Sequence, residues 1–195
     1  MHYPVRIREF LINLNPTFKL GIIGFIVGIT SGLAAIALNR GLGFFAHQYE
    51  QIVFWPLKFL LPVLGILLTV ILLKYVIKDF GGHGLPEVIY SISLKGGRLR
   101  LRSAFSKLIG SLITIASGGS AGPEAPVVLS GAAIGSNFAT LFKTDERIRT
   151  AVAGSGAAAA IAAIFNAPLT GIIFTMEVII GEWTPYIFCR SLLRL

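Results

Sequence analysis

Charge is missing from four long stretches of this chain, and the edges of those stretches outline its helices. Leu20 to Leu38 carries none, and neither does Phe59 to Leu73, which Lys58 and Lys74 bracket. Leu108 to Phe142 holds a single charge, Glu124, and Ala151 to Met176 holds none. A helix crosses a bilayer with about 20 apolar residues, so these stretches are long enough to span, some with tilt or breaks. A soluble bundle built from four such runs would have no polar face to show to water. The pattern predicts an all-α, polytopic membrane protein.

Residues 1–17 read as a short cytoplasmic N-terminal segment, and 18–195 as a membrane domain. A first long helix is expected from Pro16 to His47, with Gly21, Gly24, Gly28 and Gly32 recurring along one side. Small residues at that spacing let helices approach closely in lipid. Membrane helices are also richer in glycine generally, so the stripe has a second, plainer reading. Phe44, Phe45, Tyr49, Trp55 and Pro56 mark the outer interface, and a second helix returns to Lys74–Lys78.

The pattern then breaks three times. Gly81 to Glu87 is too glycine-rich to continue a helix, and Pro86 suits the first turn of a new, short one ending near Leu94. A crossing from Arg102 to Ala116 leads to a second break, Ser117 to Pro126, in the middle of an apolar stretch. A third falls at Phe165-Asn166-Ala167-Pro168, between the small-residue helix Ala151–Ile164 and a helix Leu169–Ile180. Irregular backbone at membrane depth survives only where protein buries it or it lines a cavity. The three breaks therefore predict half-helices whose N-termini lie inside the membrane.

Composition agrees: 54% of residues are hydrophobic and 13% charged, with a mean hydropathy of +0.78. The net charge of +8 suggests nucleic acid until its placement is considered. Lys95, Arg98, Arg100, Arg102 and Lys107 share one segment without an acid, and Arg6 and Arg8 precede the first apolar run. That is the positive-inside arrangement, with the N-terminus and the 95–107 segment in the cytoplasm and two crossings between them. A nucleic-acid arm would be interleaved with aromatics or sit on a polar domain. Cys189 is the only cysteine, which excludes disulfides and cysteine metal sites within the chain. The first apolar run lacks a small-residue cleavage site, so it does not read as a removed signal peptide.

A helix N-terminus carries about half a positive charge and several unpaired N–H donors. Ends of this kind aimed at one place make an anion site without a full positive charge, from which an ion can leave again. Glu124 stands at the second break as the one ionisable group between Lys107 and Lys143. An intramembrane carboxylate is costly and points to function. It can occupy an anion site as a tethered anion and leave when protonated, acting as a gate and as a proton carrier. The competing reading is a re-entrant loop of an unrelated transporter. A hydrolase using Glu124 as general base lacks a partner pair, and the glycine loops lack the Lys-Ser/Thr of a phosphate-binding loop.

Three motifs carry a family resemblance. Gly82-His83-Gly84-Leu85-Pro86-Glu87 resembles the GSGIPE segment of the CLC chloride channels and transporters. Gly122-Pro123-Glu124-Ala125-Pro126 is similar to their GREGP segment, and Asn166-Ala167-Pro168-Leu169-Thr170-Gly171 to NAPLAG, in family order over 18–182. The resemblance implies a non-enzymatic, homodimeric, multi-pass protein without cofactor or metal, each subunit carrying its own chloride pathway. It implies anion contacts from His83, Gly84 and Leu85, and from the backbone around Gly122, Pro123, Ala125 and Val127, with Glu124 as gate. Helix Leu169–Ile180 would contribute to the dimer interface.

The departures also carry meaning. His83 replaces a serine, which leaves the anion preference open, and Pro123 and Ala125 replace arginine and glycine beside the gate. Exchangers of the family often have a proton-path glutamate as the second of two adjacent acids. Here Glu177 matches the first and Val178 the second, as in channel-type members, with Glu182 or water as substitutes. The family's second repeat supplies a GxFxP loop and a site tyrosine, and no such repeat is found in the sequence up to Leu195. The chain is thus expected to be the first repeat of an inverted-repeat fold. The alternative is a truncated or split chain that serves only as a structural or regulatory subunit of a CLC assembly.

Overall fold

The computed structural model describes residues 16–52, 54–77 and 84–181. His83, Lys78, Glu182 and Cys189, with residues 1–15, lie outside the described residues. Among the described residues there is no strand. Helix α1 runs Pro16–Glu50 and α2 Trp55–Ile71, prolonged by a π-helical stretch Leu72–Ile77. Then come α3 Leu85–Leu94, α4 Leu101–Ala116, α5 Glu124–Leu141 and α6 Glu146–Phe165. Helix α7, Pro168–Phe174, ends in a second π-helical stretch, Thr175–Ile180.

Three of these helices are long and apolar enough to cross a bilayer: Leu20–Glu50 within α1, Trp55–Ile77, and Glu146–Phe165. Leu85–Leu94 and Pro168–Ile180 are apolar but shorter, as the breaks before them require. Phe44 and Phe45 meet edge to face at 5.5 Å, and Trp55 and Phe59 at 5.0 Å, so the aromatics gather around the α1–α2 turn. Tyr49 fastens that turn by donating its hydroxyl proton to the Lys58 carbonyl at 3.0 Å.

Helix α5 is the centre of the molecule. Every residue from Val127 to Ser136 is buried, the mark of a helix surrounded on all sides. Its closest neighbour is α6, and small residues explain how close. A Cβ built on Gly131 would overlap the Gly156 carbonyl, one on Gly156 would overlap the Gly131 carbonyl, and one on Gly135 would overlap the Val152 carbonyl. Backbone therefore lies directly on backbone along the α5–α6 seam, which maximises dispersion contact where lipid offers no hydrophobic drive. Gly171 seats α7 on α6 in the same way, against Ala158 and Ala162.

The glycine stripe of α1 behaves differently. Side chains added at Gly21, Gly24 or Gly28 would meet nothing within 4 Å, and only Gly32 approaches a neighbour, Ala163, at 3.8 Å. Close helix approach is thus achieved on α5, α6 and α7 rather than by most of the α1 stripe. Helix α1 reaches α5 instead through Ile23 and Val27, which pack with Val152 and Ala139, and through Ala35 and Leu38, which pack with Val127 and Ala160.

The segment between α3 and α4 is locked onto α5 by polar groups. The Leu99 N–H donates to Ser136 Oγ at 3.0 Å, and Asn137 Nδ2 donates to the carbonyls of Leu99 and Ala133 at 2.9 and 2.7 Å. Buried backbone at a chain turn needs such partners. They fix where α3 ends and α4 begins relative to α5.

Candidate functional site

The head of α5 is built by a loop that only glycine can form. Beyond Ala116 the Gly119 N–H returns to the Thr114 carbonyl at 2.9 Å, and Gly118 turns the chain with φ +91°. A Cβ on Gly118 would collide with the Tyr49 ring, so the end of α1 presses on this loop. Pro123 then presets the backbone at φ −76°, and Glu124 is the first helical residue.

The head of α3 is built similarly. Gly84 precedes it with φ +69° and ψ −118°, a region costly for any residue with a side chain. Its carbonyl accepts from the Glu87 and Val88 N–H groups at 3.2 and 3.4 Å. Leu85 and Val88 pack into the core with Val128 and Leu129 of α5, which holds the two helices side by side.

The two heads meet. A Cβ placed on Gly84 would stand 3.1 Å from the Ala125 Cβ, so the bare backbone of one helix start rests on the other. Pro86 and Pro126 have no N–H, and the Val127 N–H is committed to the Pro123 carbonyl at 3.1 Å. The N–H groups of Leu85, Glu124 and Ala125 donate to nothing among the described residues. No lysine or arginine occurs in 84–87 or 117–126. Within these two segments the positive field therefore comes from two helix ends, each equivalent to about half a positive charge, set against the carboxylates of Glu87 and Glu124 in their first turns. Glu124 is exposed, and its carboxylate folds back over Gly122, where a Cβ would overlap it.

The remaining sequence candidates separate from this arrangement. The Val127 side chain points into the core with Ala35, Leu38 and Ala160, and its N–H is spent, so it has neither group to offer a ligand. Pro123 offers no donor and its carbonyl is occupied. The third break is a tight turn: Asn166 adopts φ +51°, the Ala167 N–H returns to the Ala162 carbonyl at 3.1 Å, and α7 folds back along α6. Glu177 and Val178 are exposed on the π-helical stretch, whose other face carries Ile179 into the core beside Val88 and Ile92. Sequence reading missed the closeness of Ala125 and Gly84; the signal was the small residue facing each proline-started helix.

Membrane-length apolar helices around a buried central helix, with two interrupted helix starts meeting at its head, define an integral membrane protein of the broken-helix class. Residues 64–194 match the family described as voltage gated chloride channel, and the chain belongs to that family. It is 30% identical over 182 residues to the H(+)/Cl(-) exchange transporter ClcA of Yersinia pseudotuberculosis, covering 88% of this chain and 38% of that protein. It is 29% identical to chloride channel protein CLC-d of Arabidopsis thaliana, covering 85% of this chain and 24% of that one. A slow cyanobacterial Cl-/H+ antiporter has the same fold, with a TM-score of 0.73 at 24% identity over 85% of this chain and 40% of its own. The chain thus spans about two fifths of the bacterial relatives it matches.

Proposed function

We propose that the protein to which this chain contributes moves chloride across a membrane, with the paired heads of α3 and α5 as an anion site and Glu124 as its gate. The observation that carries the reading is the contact of Gly84 with Ala125, which puts two helix N-termini, and no cation, at one point. Donors at Leu85, Glu124 and Ala125 would hold a halide, with Gly84 and Gly122 leaving room for its approach. Binding by helix ends alone is weak enough to permit release. When ionised, Glu124 competes for the same donors; when protonated, it withdraws. Exchange against protons, as the bacterial relatives are named for, would use Glu124 as the outer proton carrier. Glu177, exposed on the π-helical stretch that packs on α3, is the inner candidate, and Val178 is not ionisable. In this reading 18–195 is the membrane domain, the N-terminal segment is cytoplasmic, and the complete protein is a homodimer joined in part through α7.

The test is chloride efflux from liposomes containing the complete protein. Protonation removes the charge that lets Glu124 compete with the anion for the helix-end donors, so acid favours the open site. Wild-type efflux is therefore expected to rise steeply as pH falls. Glu124→Gln is expected to give a flux that changes less than about twofold over the same range, because the gate no longer titrates. Equal pH dependence in the two proteins would remove Glu124 from the gate.

A further inference from the structure

A second cluster of charges lies away from the helix heads. The turn after α3 is made by Gly96 and Gly97 at φ +56° and +70°, and it is closed by N–H bonds from Lys95 and Gly97 to the Ser91 carbonyl at 3.0 and 2.9 Å. Against this turn stands the first turn of α6. Between them is a pocket of about 440 Å³ lined by Leu94, Lys95, Arg98, Glu146 and Arg149.

Arg149 makes the pocket more than a charged surface. It is only 7% exposed, yet among the described residues its one hydrogen bond runs from Nε to the Gly96 carbonyl at 2.6 Å. That bond aims a buried guanidinium at the pocket with its terminal nitrogens unspent. A buried arginine without a carboxylate partner is expensive, and an anion in the pocket would offset the cost that the single Gly96 bond leaves. Lys95 and Arg98 add two exposed cations at the rim, and Lys95 Nζ is steadied 4.9 Å from the centre of the Tyr90 ring. Glu146 is the single acid; its carboxylate lies over Gly96, and it forms no ion pair with the three cations among the described residues.

Position and shape narrow the ligand. Helix α6 is 20 residues long and apolar enough to span, so its first turn lies at a membrane surface. Leu94, 73% exposed, gives the pocket one apolar wall next to the charges. A halide is too small to engage two guanidinium groups and an ammonium around such a volume, whereas a phosphate offers several oxygens to them at once. We infer that this pocket binds a phosphate group, presented by the headgroup of an acidic phospholipid at the bilayer surface. The inference does not depend on the anion pathway, because none of its residues belongs to the α3–α5 heads.

The probes are phosphatidic acid, phosphatidylcholine and inorganic phosphate, with bound adducts counted by native mass spectrometry on the detergent-purified chain. Arg149 anchors Gly96, so its removal risks the fold; the exposed pair Lys95→Ala/Arg98→Ala is the primary variant, and Arg149→Lys the second. Each cation near a bilayer surface contributes about fivefold in binding, so the double variant should hold phosphatidic acid about 25-fold more weakly. Arg40→Ala, an exposed cation on α1 that does not line the pocket, should bind as wild type. Retention of inorganic phosphate equal to that of the lipid supports the same pocket with a soluble source. Wild-type retention of phosphatidic acid by the double variant overturns the proposal, and so does equal retention of phosphatidylcholine. Chloride efflux, read in parallel on the complete protein, should be unchanged in the double variant, which separates failure here from failure of the gate.

Discussion

Gly156→Val is expected to destabilise the protein by about 3 kcal/mol or more, above the usual range for an overpacked core. The reason is the atom it meets. A Cβ on Gly156 overlaps the Gly131 carbonyl, and a Cβ on Gly131 overlaps the Gly156 carbonyl, so neither partner is a side chain that can swing away. Relief requires α5 and α6 to separate along the seam that buries Val127 to Ser136. The β-branched valine adds a rotamer penalty within the helix. Gly24→Ala is the matched control, because its Cβ meets nothing within 4 Å and alanine favours a helix over glycine by about 1 kcal/mol. Thermal unfolding followed by size-exclusion fluorescence in detergent compares them. A large drop for Gly156→Val with no drop for Gly24→Ala is predicted; equal behaviour would contradict the seam.

This contrast shows how far the sequence could be read. The Gly21–Gly24–Gly28–Gly32 stripe is plain in the sequence, but periodicity does not say what faces it. Gly24 and Gly28 face a groove shared with Ala158, Ala162 and Thr175 rather than a touching helix. The tight contact uses Gly131 and Gly135, four residues apart in α5, a spacing equally visible in the sequence. Which glycine pair became a seam depended on which helix packs against each face, here the next helix in the chain, and periodicity within one helix does not say that. Lengths and breaks were more legible, because charge and proline act locally. The short helix ending at Leu94 and the helix ending at Ala116 both stop where the pattern placed their ends. The first helix continues three residues past His47, to Glu50, as its last turn carries no breaker.

Replacing Gly84 is expected to have the largest effect on transport. Its φ of +69° with ψ −118° costs a residue with a Cβ about 1–3 kcal/mol, and that Cβ would stand 3.1 Å from Ala125 Cβ. The helix heads would be pushed apart by the close contact, and the Leu85 and Ala125 amides proposed to share one ion would no longer face it together. A loss of about 1.4 kcal/mol in anion affinity is a tenfold loss in binding, and Gly84→Val should exceed it. Gly84→Ala should be milder. Adding Ala125→Gly removes the atom it strikes, so the double variant should recover the steric part of the loss and leave the dihedral part. Chloride binding by isothermal titration, run as a double-mutant cycle on the complete protein, measures that coupling. Additive effects would mean that the two heads do not touch.

The candidate site was only half legible for a physical reason. Each break announces a helix start, because glycine and proline act on their own backbone. Convergence is another matter, since it depends on Leu85 and Val88 packing against Val128 and Leu129. The third break also opens its helix with a proline, yet Asn166 closes it into a tight turn and α7 lies down on α6 through Gly171. Three similar motifs thus yield one pair and one hairpin. Val127, three residues after Glu124 in sequence, is turned into the core by the helix it helps to start.

The central claim is that an anion rests between the heads of α3 and α5. Bromide substitutes for chloride and scatters anomalously, so diffraction from bromide-soaked crystals of the complete protein locates it. The predicted result is a peak within hydrogen-bonding reach of the Leu85 and Ala125 amides, beside the Glu124 carboxylate, that disappears in Gly84→Val. Bromide density confined to other places, such as the Lys95–Arg98 pocket, with none at those amides, would contradict the account.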